Sequence, residues 1–166
     1  MAPTRLFRAE VDWAGPGTRE YRGYRRDHTV RVPGKAPIPA TSALAPGSDP
    51  SHYSPEELVV GALSSCHMLW YLHLCSDAGV VVTAYHDEAE AELSLERGGE
   101  GRLVRATLRP RVTIAEGDPE LARSLHGPAH ERCFVASSVN FPVTVEATVL
   151  RADGRAQGAE AGSGRA

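Results

Sequence analysis

Apolar positions recur at spacings of three and four from Leu58 through Val59, Ala62, Leu63, Cys66, Leu69 and Trp70 to His73. This period predicts one buried helix over residues 55–78. Its start signal is complete. Ser54 is the N-cap, Pro55 takes the first helical position, and Glu57 closes a capping box. Glu56 and Glu57 set negative charge at the positive end of the helix dipole, and Gly79 supplies the stop. Glu, Ser, His and Asp interrupt the run, so the helix reads as well short of membrane-span hydrophobicity.

Ahead of the helix, residues 5–13 and 20–32 alternate as an N-terminal hairpin across the turn signal A-G-P-G. Residues 33–53 are rich in Pro, Gly, Ser and Ala and have no period, so they read as a lid or as disorder. After Gly79, residues 80–96 form a strand whose second part alternates apolar and charged positions. R-G-G-E-G is the turn, and residues 103–114 return as the partner, which Pro110 demotes to an edge or a bulged strand. Asp118-Pro119 opens a second helix through about His130, with residues 133–139 as a possible continuation. Residues 141–150 are the last strand. From 152 to 166 the apolar content is too low to fold, and a disordered tail is expected. The order predicts an α+β fold with antiparallel pairing, in a single domain over residues 1–151.

Composition narrows the partners. A chain of 166 residues can bury a core of its own. The N-terminus has no apolar signal region, so secretion is not expected and the thiols belong to a reducing cytoplasm. Three cysteines, an odd number, argue against a disulfide framework. Lys35 is the only lysine, the formal charge is -3 and there is no basic run, which speaks against nucleic acid as a partner. The glycines form no phosphate-binding fingerprint.

The candidate chemistry lies in Cys66 and Cys133, lone cysteines far apart in sequence on apolar helical stretches. A buried free cysteine is commonly just a small hydrophobe, but this pair reads as redox-active. The thiolate is the nucleophile. Cys66 lies about three turns into its helix, beyond the reach of the dipole, and burial would raise its pKa. A cation must therefore come from elsewhere, and a guanidinium stays charged when partly desolvated. That guanidinium in turn needs an acid to fix its fork. Cys75, nine residues on, faces away from Cys66 and reads as structural. His67, His73, His126 and His130 could join the cysteines as metal ligands, yet no C-x-x-C or H-E-x-x-H pattern supports it. Trp70 and Tyr71 read as core or pocket wall.

The strings P-E-E-L-(x)7-C and A-H-E-R-C resemble the OsmC/Ohr family of thiol-dependent hydroperoxide reductases. S-S-C-H-M-L-W-Y-L-H-L-C-x-x-A-G-V-V-V and H-x-R-C-F-V-A-S-S-V-N-F-P-V are closest to its OsmC-like branch, and the resemblance spans residues 18–150. It implies an intertwined homodimer whose long central helix carries the peroxidatic cysteine, here Cys66, with Cys133 as the resolving cysteine. Glu56 falls on the acid that holds an arginine near the thiol. The resemblance implies Arg26 as that arginine, ahead of the adjacent Arg25. The resemblance implies no bound cofactor and a lipoyl-type dithiol as reductant. Cys75 is a departure, and so is Phe134, where the Ohr branch usually has proline.

Positions 56 and 66 of a straight helix are separated by about 15 Å of rise and roughly 80° of rotation. One chain's Glu56 can hardly organise an arginine at its own Cys66. A site shared between two subunits resolves this, and a bend at Gly61 is the alternative. The expected activity is two-cysteine reduction of a hydroperoxide. A non-catalytic dimer holding an apolar ligand near Cys66, or a Cys/His metal protein, are the competing readings.

Overall fold

At the start of α1 (Pro55–Asp77) the capping box closes as the sequence predicts. The Ser54 amide donates to Glu57 Oε2 at 2.7 Å, and the Glu57 amide donates to Ser54 Oγ at 3.2 Å. The far end is a Schellman cap: the Val80 amide reaches Cys75 O at 2.9 Å and the Gly79 amide reaches Ser76 O at 3.3 Å. Gly79 takes φ +71°, which only glycine adopts at little cost. This computed structural model describes residues 3–152, so apart from Ala152 the expected tail lies outside the described residues. The chain divides into two compact units, Met1–Val59 and Val60–Ala166.

In the first unit, β1 (Glu10–Asp12) pairs antiparallel with β2 (His28–Arg31), which is the predicted hairpin in shorter form. The segment read as lid or disorder instead contributes β3 (Ile38–Ala40), antiparallel to β2. Pro39 conceals this strand in the sequence because it has no amide to donate. Its carbonyl nevertheless accepts from the Tyr53 amide at 3.1 Å, and an Ala40–Tyr53 bridge continues the pairing. Asp27 ties the rest of the segment down. Its Oδ1 accepts from Thr41 Oγ1 at 2.8 Å and from the Asp49 amide at 3.3 Å. The Thr41 hydrogen bond, with help from Arg25 and Asp49, holds the Asp27 carboxyl below its ordinary pKa.

The second unit is built on a long hairpin broken at one level. The strand read over residues 80–96 is two strands, β4 (Val81–Asp87) and β5 (Glu90–Leu95). Its partner is also two, β6 (Gly101–Leu108) and β7 (Pro110–Glu116). Pro110 opens β7, a position where its missing amide is tolerated, and the Arg109 amide is taken by Asp87 Oδ1 at 2.7 Å. The last strand breaks likewise, into β8 (Val143–Val145) and β9 (Thr148–Arg151). Two three-stranded sheets result, β4-β7-β9 and β5-β6-β8. β4–β7 and β5–β6 are antiparallel as expected, but β6–β8 and β7–β9 are parallel.

The second helix also divides, into α2 (Pro119–Ser124) and α3 (His126–Arg132). Asp118 caps α2 through the Glu120 amide at 3.1 Å. Pro128 accounts for the break, since inside one continuous helix its ring would meet the carbonyl of Ser124. Restarting at His126 puts Pro128 in a first turn, where an amide has no helical partner. Cys133 is extended at the end of α3, so the helix stops there, and a short 3-10 turn follows at Ala136–Ser138.

α1 buries a narrower stripe than its period suggested. Leu63, His67, Tyr71, Leu74 and Cys75 are buried, while Ala62, Leu69 and His73 are exposed. Tyr71, Leu74 and Cys75 join Val80, Val112, Ile114, Ala122, Ala129 and Val149 in the core of the second unit. The helix is more apolar than the sequence reading held. Its best 18-residue window has mean hydropathy 1.4, enough by length and composition to cross a membrane. What distinguishes it from a lipid-facing helix is the packed stripe, which carries a histidine and a tyrosine into protein core.

Candidate active site

Cys66 and Cys133 come together in the second unit. Cys66 is half-buried on α1, and Cys133 is buried at the C-terminal cap of α3. All three cysteines are free thiols. Burial pushes the Cys133 thiol above its ordinary pKa, and the neighbouring Cys66 sulfur pushes it further. The Ala136 amide partly offsets this by donating to Cys133 Sγ at 3.4 Å. Cys75 sits elsewhere, in the core beneath α1, and burial raises its thiol too. The half-turn of rotation expected between Cys66 and Cys75 is what the helix delivers.

Cys66 opens onto a cavity of about 330 Å³ lined by Leu69, Trp70, His73 and Phe134. Trp70 and Phe134 meet edge to face at 5.5 Å between ring centroids, and the Arg132 guanidinium lies 5.9 Å from the Trp70 ring. Trp70 is thus pocket wall and Tyr71 core. Phe134, noted in the sequence only as a departure, forms part of the wall beside the thiol. A hydrophobic residue directly after a cysteine was the only signal for it.

In the first unit, Arg26 and Glu56 line a second cavity of about 270 Å³, with Trp13, Tyr24, His28 and Thr41. The expected Arg26–Glu56 ion pair is not formed. Arg26 instead donates from Nη1 to Tyr24 O at 2.6 Å and from Nη2 to Tyr21 O. Its guanidinium lies 4.0 Å from the Tyr24 ring and 4.6 Å from the Tyr21 ring. Glu56 Oε2 is buried with no hydrogen-bond partner among the described residues. Arg25 is committed to Asp27, with Nε to Oδ2 at 2.6 Å, and its side chain is largely exposed. Of the two arginines, Arg26 is the one that shares a cavity with Glu56.

The histidines considered as ligands behave otherwise. His67 Nε2 and His126 Nδ1 share a hydrogen bond of 3.0 Å inside the second unit, and both rings are buried. His126 also stacks on Tyr71 at 3.9 Å between centroids. Burial, with repulsion from His130, lowers His67 to about 4, and burial, with repulsion from His67, lowers His126 to about 3. His73 is exposed beside Asp77. No group of three or more His, Cys, Asp or Glu among the described residues could hold a metal ion.

A family model described as OsmC-like protein matches residues 47–148. None of the curated proteins gives a match. Among solved structures, an OsmC-like protein of unknown function from Vibrio cholerae is similar, with 30% identity and TM-score 0.78. That match covers 87% of this chain and 100% of that one. An organic hydroperoxide resistance protein from Elizabethkingia anophelis has 16% identity and TM-score 0.60, covering 89% of this chain and 98% of that one. Another from Bacillus subtilis has 19% identity and TM-score 0.60, covering 87% and 100%. These last two share the fold.

Proposed function

The chain belongs to the OsmC-like protein family, and from that membership we propose that it is a thiol-dependent hydroperoxide reductase. The observation that carries the reading is Cys66, on the wall of an apolar cavity, beside the buried Cys133 thiol. Relatives named as organic hydroperoxide resistance proteins share the fold and support it. The Cys66 thiolate attacks the O–O bond, taking one oxygen as sulfenic acid and releasing an alkoxide that leaves as the alcohol. Cys133 then attacks the Cys66 sulfur, expelling water and leaving a disulfide. An external dithiol takes the oxidation by exchange and returns both thiols.

The electrostatics order these steps. Burial chiefly, and a negative charge on Cys66 in addition, disfavour ionising Cys133. Conversion of Cys66 to the neutral sulfenic acid removes that charge and makes Cys133 easier to ionise when it is needed. One equivalent of cumene hydroperoxide should produce a Cys66–Cys133 disulfide with Cys75 free, as read by peptide mapping, and dithiol should reverse it. A bridge through Cys75, or no bridge, would remove the resolving role from Cys133. Binding of an apolar ligand without turnover is the second reading, favoured by the open, apolar wall of the same cavity, and it requires that no peroxide be consumed.

The protein acts in this proposal as a homodimer in the reducing cytoplasm. Leu69 on α1 is 61% exposed and Phe134 68%, an apolar surface suited to a second copy. Glu56 lies about 15 Å along the helix from Cys66, which suits a cation brought by the partner. Co-refolding an inactive Arg26→Ala chain with an inactive Cys66→Ser chain should then restore activity, because one site of the mixed dimer keeps both groups. A differentially tagged heterodimer that stays as inactive as its parents would eliminate the shared site.

A further inference from the structure

Three buried or half-buried histidines surround the two thiols without taking part in the chemistry above. His67 follows Cys66 directly on α1. His126 begins α3, whose last turn carries His130 and whose cap is Cys133. The Cys133 amide donates to His130 O at 3.1 Å, so the cysteine is attached to the end of this one short helix. The His67–His126 hydrogen bond, 3.0 Å long, therefore joins the helix of one thiol to the helix of the other. His126 is further fixed by its near-parallel stack on Tyr71, one turn along α1 from His67.

A short helix of this kind needs such a tie. α3 has only seven residues and no side-chain cap at its N-terminus, so its own hydrogen bonds hold it weakly. Its buried residues are His126 and Ala129. The pair is also costly to disrupt, since separating it would leave two ring nitrogens unpartnered in the core, beside the already unpartnered His67 Nδ1 and His126 Nε2. The two rings belong to no group of three or more His, Cys, Asp or Glu among the described residues that could hold a metal ion.

Resting on the two-cysteine reading above, we infer that the His67–His126 pair is a positioning device that holds Cys133 against Cys66 for disulfide closure. It acts on the second step and not on the first. Peroxide attack needs Cys66 and the groups that activate it, whereas closure needs α3 held in register with α1. Small displacements of paired reactants are expensive in rate, and an error of about 1 Å can cost about a hundredfold.

Two substitutions at His126 separate the hydrogen bond from the ring. His126→Phe keeps the stack on Tyr71 and removes the nitrogen. His126→Asn loses the stack but places an amide where Nδ1 was, so the bond to His67 can be kept. Both steps are followed after one equivalent of cumene hydroperoxide: loss of the Cys66 thiol, then formation of the Cys66–Cys133 disulfide by quenched mass spectrometry. In His126→Phe, closure should slow by about tenfold or more relative to thiol loss, and sulfinic acid at Cys66 should rise under excess peroxide. His126→Asn should recover most of the closure rate. Closure at the wild-type rate in folded His126→Phe, or equal slowing in both variants, would overturn the inference. Should His126→Phe not fold, slow closure in His67→Phe with recovery in His67→Gln supports the inference, and closure equally fast or equally slow in those two overturns it. Wild-type protein that forms no Cys66–Cys133 disulfide at all would instead refute the two-cysteine reading.

Discussion

Replacing Cys133 with serine should halt the protein after one turnover. Cys66 still reacts with peroxide, but its sulfenic acid has no thiol beside it and advances to the irreversible sulfinic acid under excess oxidant. Dithiol-dependent peroxide consumption should fall by about two orders of magnitude, because an external thiol must replace one held at high effective concentration. The Cys66 peptide should at the same time gain two oxygens in mass. Cys75→Ser is the control. That thiol is in the core beneath α1, away from the cavity, and its replacement should leave turnover nearly unchanged. Sustained turnover of Cys133→Ser with monothiols excluded would contradict the mechanism.

Acid should unfold the protein well before its carboxylates are neutralised. His67 and His126 are held at about 4 and about 3, below the ordinary histidine value of 6.5, chiefly by burial. The folded state thus binds fewer protons than the unfolded chain. The stability this pair contributes is fully present above about pH 6.5 and is lost as pH falls toward 4, at up to about 1.4 kcal/mol per pH unit for each ring. The groups around them, His130 on α3, Tyr71 on α1 and Tyr85 and Asp87 on β4, include one carboxylate, and Asp87 opposes the depression of His67. Between pH 7 and pH 5 the loss should be about 2 to 4 kcal/mol, a large part of a typical folding free energy. Urea midpoints across this range measure it. Asp27, Asp49 and Glu90, whose carboxyls are held below their ordinary values, titrate at lower pH and do not account for it. The double variant His67→Gln, His126→Asn should be nearly flat from pH 7 to 5, and an unchanged slope there would assign the loss to other groups.

Local signals were readable wherever the physics is local. The start of α1 rests on Ser54, Pro55 and Glu57, three residues that satisfy each other's backbone groups, and its end on Gly79. The same holds for the Asp118 cap. Cys66 and Cys133 were legible as a pair because their flanking strings resemble a family. The breaks were harder. Pro110 was recognised as a disturbance, yet whether it makes a bulge or a new strand depends on Asp87, more than twenty positions away, taking the Arg109 amide. Pro39 hid β3 because a strand without one amide still pairs when its carbonyl and neighbours do.

The face of α1 that is buried could not be read from its period, because both faces are apolar. Periodicity reports which residues share a face, and contact with the β4-β7-β9 sheet and α3 selects His67 and Tyr71 over Ala62 and Leu69. That selection turns a histidine that sequence patterns offered as a ligand into one half of a buried hydrogen bond. The partners of Arg26 were not readable either: its fork is filled by two carbonyls of its own loop. Sequence alone determined the helix caps, the two thiols and the α+β order, since each depends on residues a few positions apart or on a string long enough to resemble a family. The tertiary structure alone decided the strand breaks, the parallel pairs and the neighbours of each titratable side chain, because burial and long-range pairing set these and neither is encoded at one position.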